Sequence, residues 1–487
     1  MNPTSSTAAR RIHLLGVGGT GMGAFASLLQ QAGYAVTGSD QNLYPPMSEM
    51  LKQWGIEAMT PYAPENLDRA RPDLVVVGNV IRRDNPEATA VRERGIAQVS
   101  FPQALGELFL ERRHAVVVAG THGKTTTSAL VAHLLDAAGR APSFLVGGVL
   151  GNFGTSARLG EGEEFVVEGD EYDTAYFDKG PKFLHYRPRT LIFTSCEFDH
   201  ADIYRDTTHY ESAFERLMEI LPEDGLVLAC ASTEAPSRIA KKARCRVETY
   251  SALAGVEADW TAEILSECEE GTRFRVRRHG EPLFEAQMPL GGRHNVENAL
   301  GAMAACIARG ADAAALSAGL EAFCGVRRRQ EVRGEVRGIR VIDDFAHHPT
   351  AVVETIAAVR GRHPGRRLVV AFEPRSNTSR RSIHQDAYAQ SFDRADRVFV
   401  QVPLPHDRVP QSERLDAHAL CARIRARGVS ATACASADEI LAALLREARP
   451  GDVILVMSNG AFGGLVDRLL QALDTPASAE TQGDRDA

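Results

Sequence analysis

The stretch His114-Ala-Val-Val-Val-Ala-Gly120-Thr121-His122-Gly123-Lys124-Thr125-Thr126-Thr127 decides how this chain reads. An apolar strand runs into a glycine turn, which opens the apolar helix Ser128 to Gly139 (SALVAHLLDAAG). Glycines let backbone N–H groups converge on phosphate oxygens, and a helix N-terminus adds partial positive charge. In that setting Lys124 reaches the β- and γ-phosphates of ATP, and the Thr125 hydroxyl ligates Mg²⁺. Gly120, Thr121, His122, Gly123, Lys124, Thr125 and Thr126 are the candidate nucleotide contacts. A plain strand-to-helix turn has no packing reason to carry Gly-Lys-Thr. The loop is a short form, with Val118 where the longer motif has its first glycine.

Upstream, the apolar runs Arg11 to Leu15, YAVTGSD ending at Asp40, and Leu74 to Gly78 alternate with helical stretches. Downstream come FVVEGD, TLIFTS and an alanine-rich helix, NVENALGAMAACIARG. From Gly325 the alternation restarts with RVIDD, RLVVAFEP, RVFVQV and DVILVMS. Strands alternating with helices imply parallel sheets. A chain of 487 residues is also too long for one hydrophobic core. The expected fold is α/β, three domains in series: a Rossmann-like domain (1–110), a central P-loop ATPase-type domain (111–324) and a second Rossmann-like domain (325–474). The polar tail, 475–487, is expected to be disordered.

Composition narrows the partners. A net charge of −8 argues against nucleic acid, and no apolar run reaches the ~18 residues of a membrane span. The polar N-terminus, MNPTSSTAAR, has no signal-peptide core, so a cytoplasmic location is expected. Eight scattered cysteines lack metal-type spacing and read as reduced thiols. A monomer or weak homodimer is expected.

Gly16-Val17-Gly18-Gly19-Thr20-Gly21 fits G-x-G-x-x-G, with Asp40 at the distance the dinucleotide fingerprint prescribes. Taken alone it suggests a nicotinamide-dependent dehydrogenase. The same geometry serves any pyrophosphate–ribose ligand, and a dehydrogenase has no use for a second, ATP-type loop. The pair of loops therefore favours a UDP-sugar plus ATP. Gly16, Gly18, Gly19, Thr20, Gly21, Met22, Ser39 and Asp40 are its candidate contacts.

GVGGTGM followed by TGSD, the short loop GTHGKT, and further motifs downstream resemble the Mur ligase family over nearly the whole chain. The family joins an amine to a UDP-muramoyl carboxylate at the expense of ATP, with Mg²⁺. The resemblance assigns UDP-N-acetylmuramate to the first domain. FVVEGDEYD resembles the family's acidic segment and makes Glu168 a Mg²⁺ ligand, with Glu171 in reserve. CEFDHAD makes His200 the ligand of a second Mg²⁺. Several family members carry a carbamylated lysine one helix later, and Phe214 stands there by spacing. The branch that charges UDP-N-acetylmuramate directly lacks it too.

GRHNVENA resembles the adenine motif, implying nucleotide contacts from His294, Asn295 and Asn298. The arginine-rich linker Gly325 to Gln330 implies that Arg329 meets the γ-phosphate. DDFAHHPT implies that Asp344 holds the ribose and that His347 and His348 lie near the reacting centre, with the substrate-facing histidine left open. Residues 39–51, 197–204, 343–352 and 373–381 resemble the branch whose amine is the tripeptide L-alanyl-γ-D-glutamyl-meso-diaminopimelate. Arg375, Arg380 and Arg381 then offer cations to its carboxylates. The alternative is the L-alanine-adding branch, which shares both glycine loops and the arginine linker.

Overall fold

The structure is a computed structural model that describes residues 9–45, 47–404 and 409–475. Most of the tail expected to be disordered, 476–487, lies outside the described residues. By contacts the chain forms two compact units. One comprises the residues up to Ser266 with Gly271–Arg327, and the other comprises Glu267–Glu270 with the residues from Arg328 onward.

Among the described residues the first unit holds two large sheets and a short antiparallel pair, Asp173–Ala175 with Asp178–Pro181. β1 (Arg11–Leu15), β2 (Ala35–Ser39), β3 (Glu57–Met59), β4 (Leu74–Val77) and β5 (Gln98–Ser100) form a parallel sheet in the order β3-β2-β1-β4-β5. Helix α1 (Thr20–Gln31) follows β1. The larger sheet centres on β6 (His114–Ala119), β7 (Ser143–Leu150), β8 (Glu164–Gly169), β9 (Thr190–Phe193), β10 (Leu226–Cys230) and β11 (Arg246–Ser251). These six strands run parallel in the order β11-β10-β9-β6-β8-β7. Helices α2 (Lys124–Ala137), α3 (Thr207–Glu219) and α4 (Arg293–Ala308) belong to this region.

The strands flanking β6 matter most. Parallel pairing with β8 on one side and β9 on the other brings three strand ends together, and β6 leads straight into the glycine loop. Open α/β sheets bind ligands at the carboxyl ends of their strands. The near-continuous Val/Leu/Ile runs that marked these strands reflect burial on both faces.

Beyond β11 the same sheet continues through Trp260–Cys268, Gly271–Arg278 and Glu281–Met288, the last two paired antiparallel. Alternation of strand and helix did not anticipate this extension. Its strands carry charged ladders, such as Arg273 and Arg275 with Glu285, rather than apolar runs.

The two large sheets of the first unit share one core. Phe25 of α1 stacks edge-on against Phe101 and Phe109 at 5.1 and 5.9 Å, and Phe109 meets Phe165 of β8 at 6.1 Å. Edge-to-face pairs of this kind add about 0.5–1.5 kcal/mol beyond their burial. The strand that restarts near residue 111 marks the change from one of these sheets to the other.

The second unit has one sheet, β12 (Glu331–Val336), β13 (Ile339–Asp344), β14 (Leu368–Phe372), β15 (Arg397–Gln401), β16 (Ser430–Cys434) and β17 (Val453–Met457), in the order β12-β13-β17-β14-β15-β16. All but β12 run parallel. Helix α5 (Pro349–Arg362) follows β13. Its first residue is proline, as the fixed φ of that residue favours.

Two histidines, His114 half-buried and His363 buried, make the fold acid-sensitive. Burial, reinforced by Arg309 and Arg189, pushes the His114 pKa down to about 4, and burial with Arg340 and Arg362 does the same for His363. An unfolded histidine titrates near 6.5, so between about pH 6.5 and 4 the unfolded chain binds protons that the native chain refuses. The penalty from these two histidines is absent above pH 6.5 and grows as pH drops toward 4. Chemical denaturation at pH 7 and pH 5 should show this penalty, and His114→Gln with His363→Gln should reduce it.

Candidate active site

Each glycine of the phosphate loop has a steric reason. Gly120 has φ of +138°, and a Cβ there would lie 2.7 Å from the Ser195 backbone. Gly123 has φ of +80° and caps α2 without a side-chain hydrogen bond. A Cβ on Gly123 would come within 2.5 Å of Asn298 Oδ1. The loop between them is pinned to the end of β9. The Thr121 amide donates to the Ser195 carbonyl (3.2 Å), and the His122 amide donates to Ser195 Oγ (2.8 Å).

Lys124 turns back over this loop. Its Nζ donates to the Gly120 carbonyl, to the Thr121 carbonyl at 3.3 Å and to Glu171 at 3.1 Å. Burial works against the ammonium, but Glu171, Asp170 and Glu168 outweigh it and raise its pKa. Glu171 is only 1% exposed and gathers three side-chain donors: Lys124, His200 Nε2 at 3.1 Å and the Tyr210 hydroxyl at 3.0 Å. Burial would raise its pKa, yet Lys124 and His200 hold the carboxyl below the usual range. In return Glu171 acts on His200. Burial disfavours the imidazolium, and the hydrogen bond and charge of Glu171 overcome this, pushing the His200 pKa up to about 9. The His200 backbone sits at φ +54°, an uncommon conformation for a residue with a Cβ.

A second carboxylate stands at the mouth of the helix. Glu168 Oε2 accepts from the Thr125 hydroxyl at 3.2 Å, and Oε1 accepts from the Gly147 amide at 2.6 Å. A hydroxyl and a carboxylate facing each other beside a phosphate loop form a hard-oxygen pair of the type Mg²⁺ prefers. Glu171 is buried and already holds three side-chain donors, so Glu168 fits that role better.

At the other glycine loop, the Gly16 and Val17 amides donate to the Ser39 carbonyl (2.8 and 3.1 Å), with Gly16 at φ +90°. Gly19 caps α1 without a side-chain hydrogen bond, and Gly19, Thr20 and Gly21 are exposed. Asp40 lies across the loop, where its Oδ2 accepts from the Gly18 amide at 2.8 Å.

The second unit has its own cluster at the ends of β13, β14 and β17. Arg328 Nη2 donates to the carbonyls of Ser458 (2.5 Å) and Gly460 (2.7 Å), and Arg329 stacks on the Phe345 ring at 4.7 Å. Arg328 and Gln330 both adopt positive φ, +61° and +49°. Arg375 is exposed and lies against Gly460. Glu373 is buried beside the Ser458 hydroxyl, which donates to it.

Family models match this chain in three consecutive segments. They are the Mur ligase family catalytic domain (residues 11–113), the Mur ligase middle domain (118–306) and the Mur ligase glutamate ligase domain (328–460). The chain belongs to the Mur ligase family. It is 42% identical over 470 residues to the UDP-N-acetylmuramate–L-alanyl-γ-D-glutamyl-meso-2,6-diaminoheptandioate ligase of Escherichia coli K12, covering 96% of this chain and 99% of that one. The crystal structure of a murein peptide ligase from Psychrobacter arcticus superposes with a TM-score of 0.71 at 37% identity, over 96% of this chain and all of that one. A UDP-N-acetylmuramate–L-alanine ligase from Oleidesulfovibrio alaskensis is 35% identical, over 93% of this chain and 96% of its own.

In this Mur ligase several expected ligand contacts have other partners. Met22 is 7% exposed and packs in the core, and Ser39 is buried with its carbonyl taken by the Gly16 and Val17 amides. Asn298 Oδ1 accepts from Thr127 at 3.1 Å, its Nδ2 donates to Asn295 Oδ1 at 3.3 Å, and Asn295 Nδ2 donates to the Gly291 carbonyl at 2.8 Å. The two amides thus brace the Gly123 turn against α4 rather than display their edges. His294 opens the first turn of α4 beside them and is half-buried.

Asp344 is 4% exposed. Its carboxylate accepts from the amides of Gln330 (2.8 Å) and Ala346 (2.7 Å) and from the Thr355 hydroxyl (3.3 Å). It fixes the linker to the start of α5, which leaves little of it to offer a ribose. His347 Nδ1 contacts the Phe345 carbonyl at 3.1 Å, and His348 packs edge-on to His384 at 4.8 Å. Arg381 is paired with Glu413. His200 turns Nε2 to Glu171, 3.1 Å from its Oε1.

Sequence reading missed Tyr210, Gly147 and Ser195 entirely. Tyr210 and Ser195 lie in no glycine-rich or acidic motif, the glycine run around Gly147 has no phosphate-loop pattern, and it is the packing of β7, β8, β6, β9 and α3 that brings them to the loop. Phe214 is buried and stacks on Phe193 at 4.9 Å.

Proposed function

We propose that this chain joins the amine of L-alanyl-γ-D-glutamyl-meso-diaminopimelate to the lactyl carboxylate of UDP-N-acetylmuramate, converting ATP to ADP and phosphate. The observation that carries the reading is the 42% identity, over essentially both full lengths, to the Escherichia coli ligase named for that tripeptide. The division of labour we assign is UDP-sugar to residues 1–110, ATP to 111–324 and the amine to 325–474.

The carboxylate oxygen of the muramoyl group attacks the γ-phosphorus, the bond to the β-phosphate oxygen breaks, and ADP leaves. The acyl phosphate then takes the amine at its carbonyl carbon, phosphate departs, and the amine gives up a proton. Lys124 is already charged and aimed along the loop, so it stabilises charge on the transferring group without reorganisation. Mg²⁺, when bound, supplies further neutralisation of phosphate charge, and Thr125 and Glu168 are the residues fitted to hold it. The family resemblance assigns Arg329 to the γ-phosphoryl group. Among the described residues no helix is long and apolar enough to cross a membrane. With nucleotide substrates, we assign the enzyme to the cytoplasm.

Arg375 and Arg380 are the residues we assign to the tripeptide's carboxylates. Burial and the neighbouring Arg375 charge lower the Arg380 pKa, with Glu373 opposing them, so a further anion would be favoured beside this pair. A phosphate-release assay tests the function. Release should require UDP-N-acetylmuramate and tripeptide together, and release with L-alanine alone as amine would support the other branch.

A further inference from the structure

We propose that Tyr210 is a positioning residue for phosphoryl transfer, acting through Glu171 and Thr121. The inference rests on the reading of residues 120–125 as the ATP loop. Tyr210 lies in α3 and is fully buried. Asp206 accepts from the His209 amide at 2.8 Å and caps that helix, so the start of α3 is fixed one turn before the tyrosine. Its ring packs among aromatics, edge-on to Tyr204 at 5.0 Å and to Phe214 at 5.3 Å. Phenylalanine would satisfy every one of those contacts. The hydroxyl is the part that needs another explanation, because burying it without partners is costly.

That hydroxyl touches two groups, Glu171 Oε1 at 3.0 Å and Thr121 Oγ1 at 2.9 Å. An ionised carboxylate only accepts, so the single phenolic proton goes to Glu171. Thr121 Oγ1 accepts from the Glu197 amide at 2.9 Å, and its own proton is shared between the Glu197 carbonyl and the Tyr210 oxygen. The chain of bonds runs from the phosphate loop through Tyr210 to the carboxylate that holds Lys124. The Tyr204 hydroxyl adds a bond to the Glu171 carbonyl at 2.6 Å, anchoring the backbone of the same residue.

The consequence appears when ATP arrives. Lys124 has one ammonium for two anions, Glu171 and the phosphates. As it turns to phosphate, Glu171 keeps only His200 and Tyr210. Those two bonds stop the carboxylate from following the lysine and drawing it off the γ-phosphoryl group. Tyr210 also fixes Thr121, and with it the curvature of the loop. The tyrosine touches neither nucleotide nor metal in this scheme.

The test is Tyr210→Phe, which keeps the ring and removes the oxygen. Expected are a 10- to 100-fold lower kcat, a raised KM for ATP, and weaker ADP binding by calorimetry. The KM for UDP-N-acetylmuramate should stay within about twofold. A second variant, Thr121→Val, cuts the same chain at its other end and should show the same split. The two together should lose less than the product of the single losses, because they break one network. Should Tyr210→Phe fail to fold, Thr121→Val still carries the test. An active wild-type enzyme with unchanged kcat and KM for ATP in the folded variants would overturn the inference alone. Equal losses in UDP-sugar and ATP binding would do so as well, since they indicate general loosening. No phosphate release from the wild type would instead remove the ATP-loop reading beneath it.

Discussion

Lys124→Ala should lower kcat by about 10²–10³, the usual cost of removing a preorganised charge aimed at a transferring group. The fold adds a complication that the motif does not reveal. Lys124 pairs with Glu171, which is buried, so the alanine variant strands a carboxylate with only His200 and Tyr210 as partners. Breaking a buried pair costs about 3–5 kcal/mol when one charge is left behind, and the two remaining donors reduce that figure here. A lower melting temperature is therefore expected alongside the lost activity. Adding Glu171→Gln removes the stranded charge and should recover much of the stability while leaving kcat low. Steady-state phosphate release and thermal melts on the single and double variants separate the two effects. Near-normal turnover in a folded Lys124→Ala protein would contradict the assignment of the loop.

The second large effect concerns the amine. L-alanine offers one carboxylate, whereas the tripeptide offers several. Each charge-assisted hydrogen bond contributes roughly 1.5–3 kcal/mol, so two of them give a preference of about a hundredfold or more. The structure changes which arginines should supply them. Arg381 is engaged by Glu413, so its replacement should act mainly on the loop that holds it. Arg375 is exposed, while Nε of Arg380 is buried with no hydrogen-bond partner among the described residues. Arg375→Ala and Arg380→Ala should each raise the KM for tripeptide by about tenfold, within that per-bond range, and leave the KM for ATP nearly unchanged. A matching rise in the KM for ATP would mean that these residues do not read the amine.

Much of the fold could be read from the chain because its parallel strands are buried on both faces. Their unbroken apolar character is visible in stretches such as Ala115 to Ala119 and Leu368 to Phe372, where every residue is buried. The strands from Trp260 to Met288 were missed, since exposed charge ladders have no such continuity. The glycines of the phosphate loop were legible for a related reason. Positive φ and close backbone approach leave no other choice of residue at Gly120 and Gly123.

Partnership was harder to read than position. Asp344, Asn295 and Asn298 are polar residues in recognisable motifs, yet each spends its hydrogen bonds inside the protein. Glu168 and Glu171 lie in one acidic run, and the sequence ranked them only by resemblance. Their surroundings separate them, because one faces Thr125 and the other is surrounded by Lys124, His200 and Tyr210. Tyr210 had no signal at all, being one aromatic among several on the buried face of its helix.

The identity of the amine is decided by one competition. The purified enzyme is given ATP, Mg²⁺, UDP-N-acetylmuramate and equal concentrations of L-alanine and L-alanyl-γ-D-glutamyl-meso-diaminopimelate, and the UDP-linked products are resolved by mass. UDP-N-acetylmuramoyl-tripeptide should be the dominant product from the earliest time points. Accumulation of UDP-N-acetylmuramoyl-L-alanine with no tripeptide adduct would contradict the proposed function.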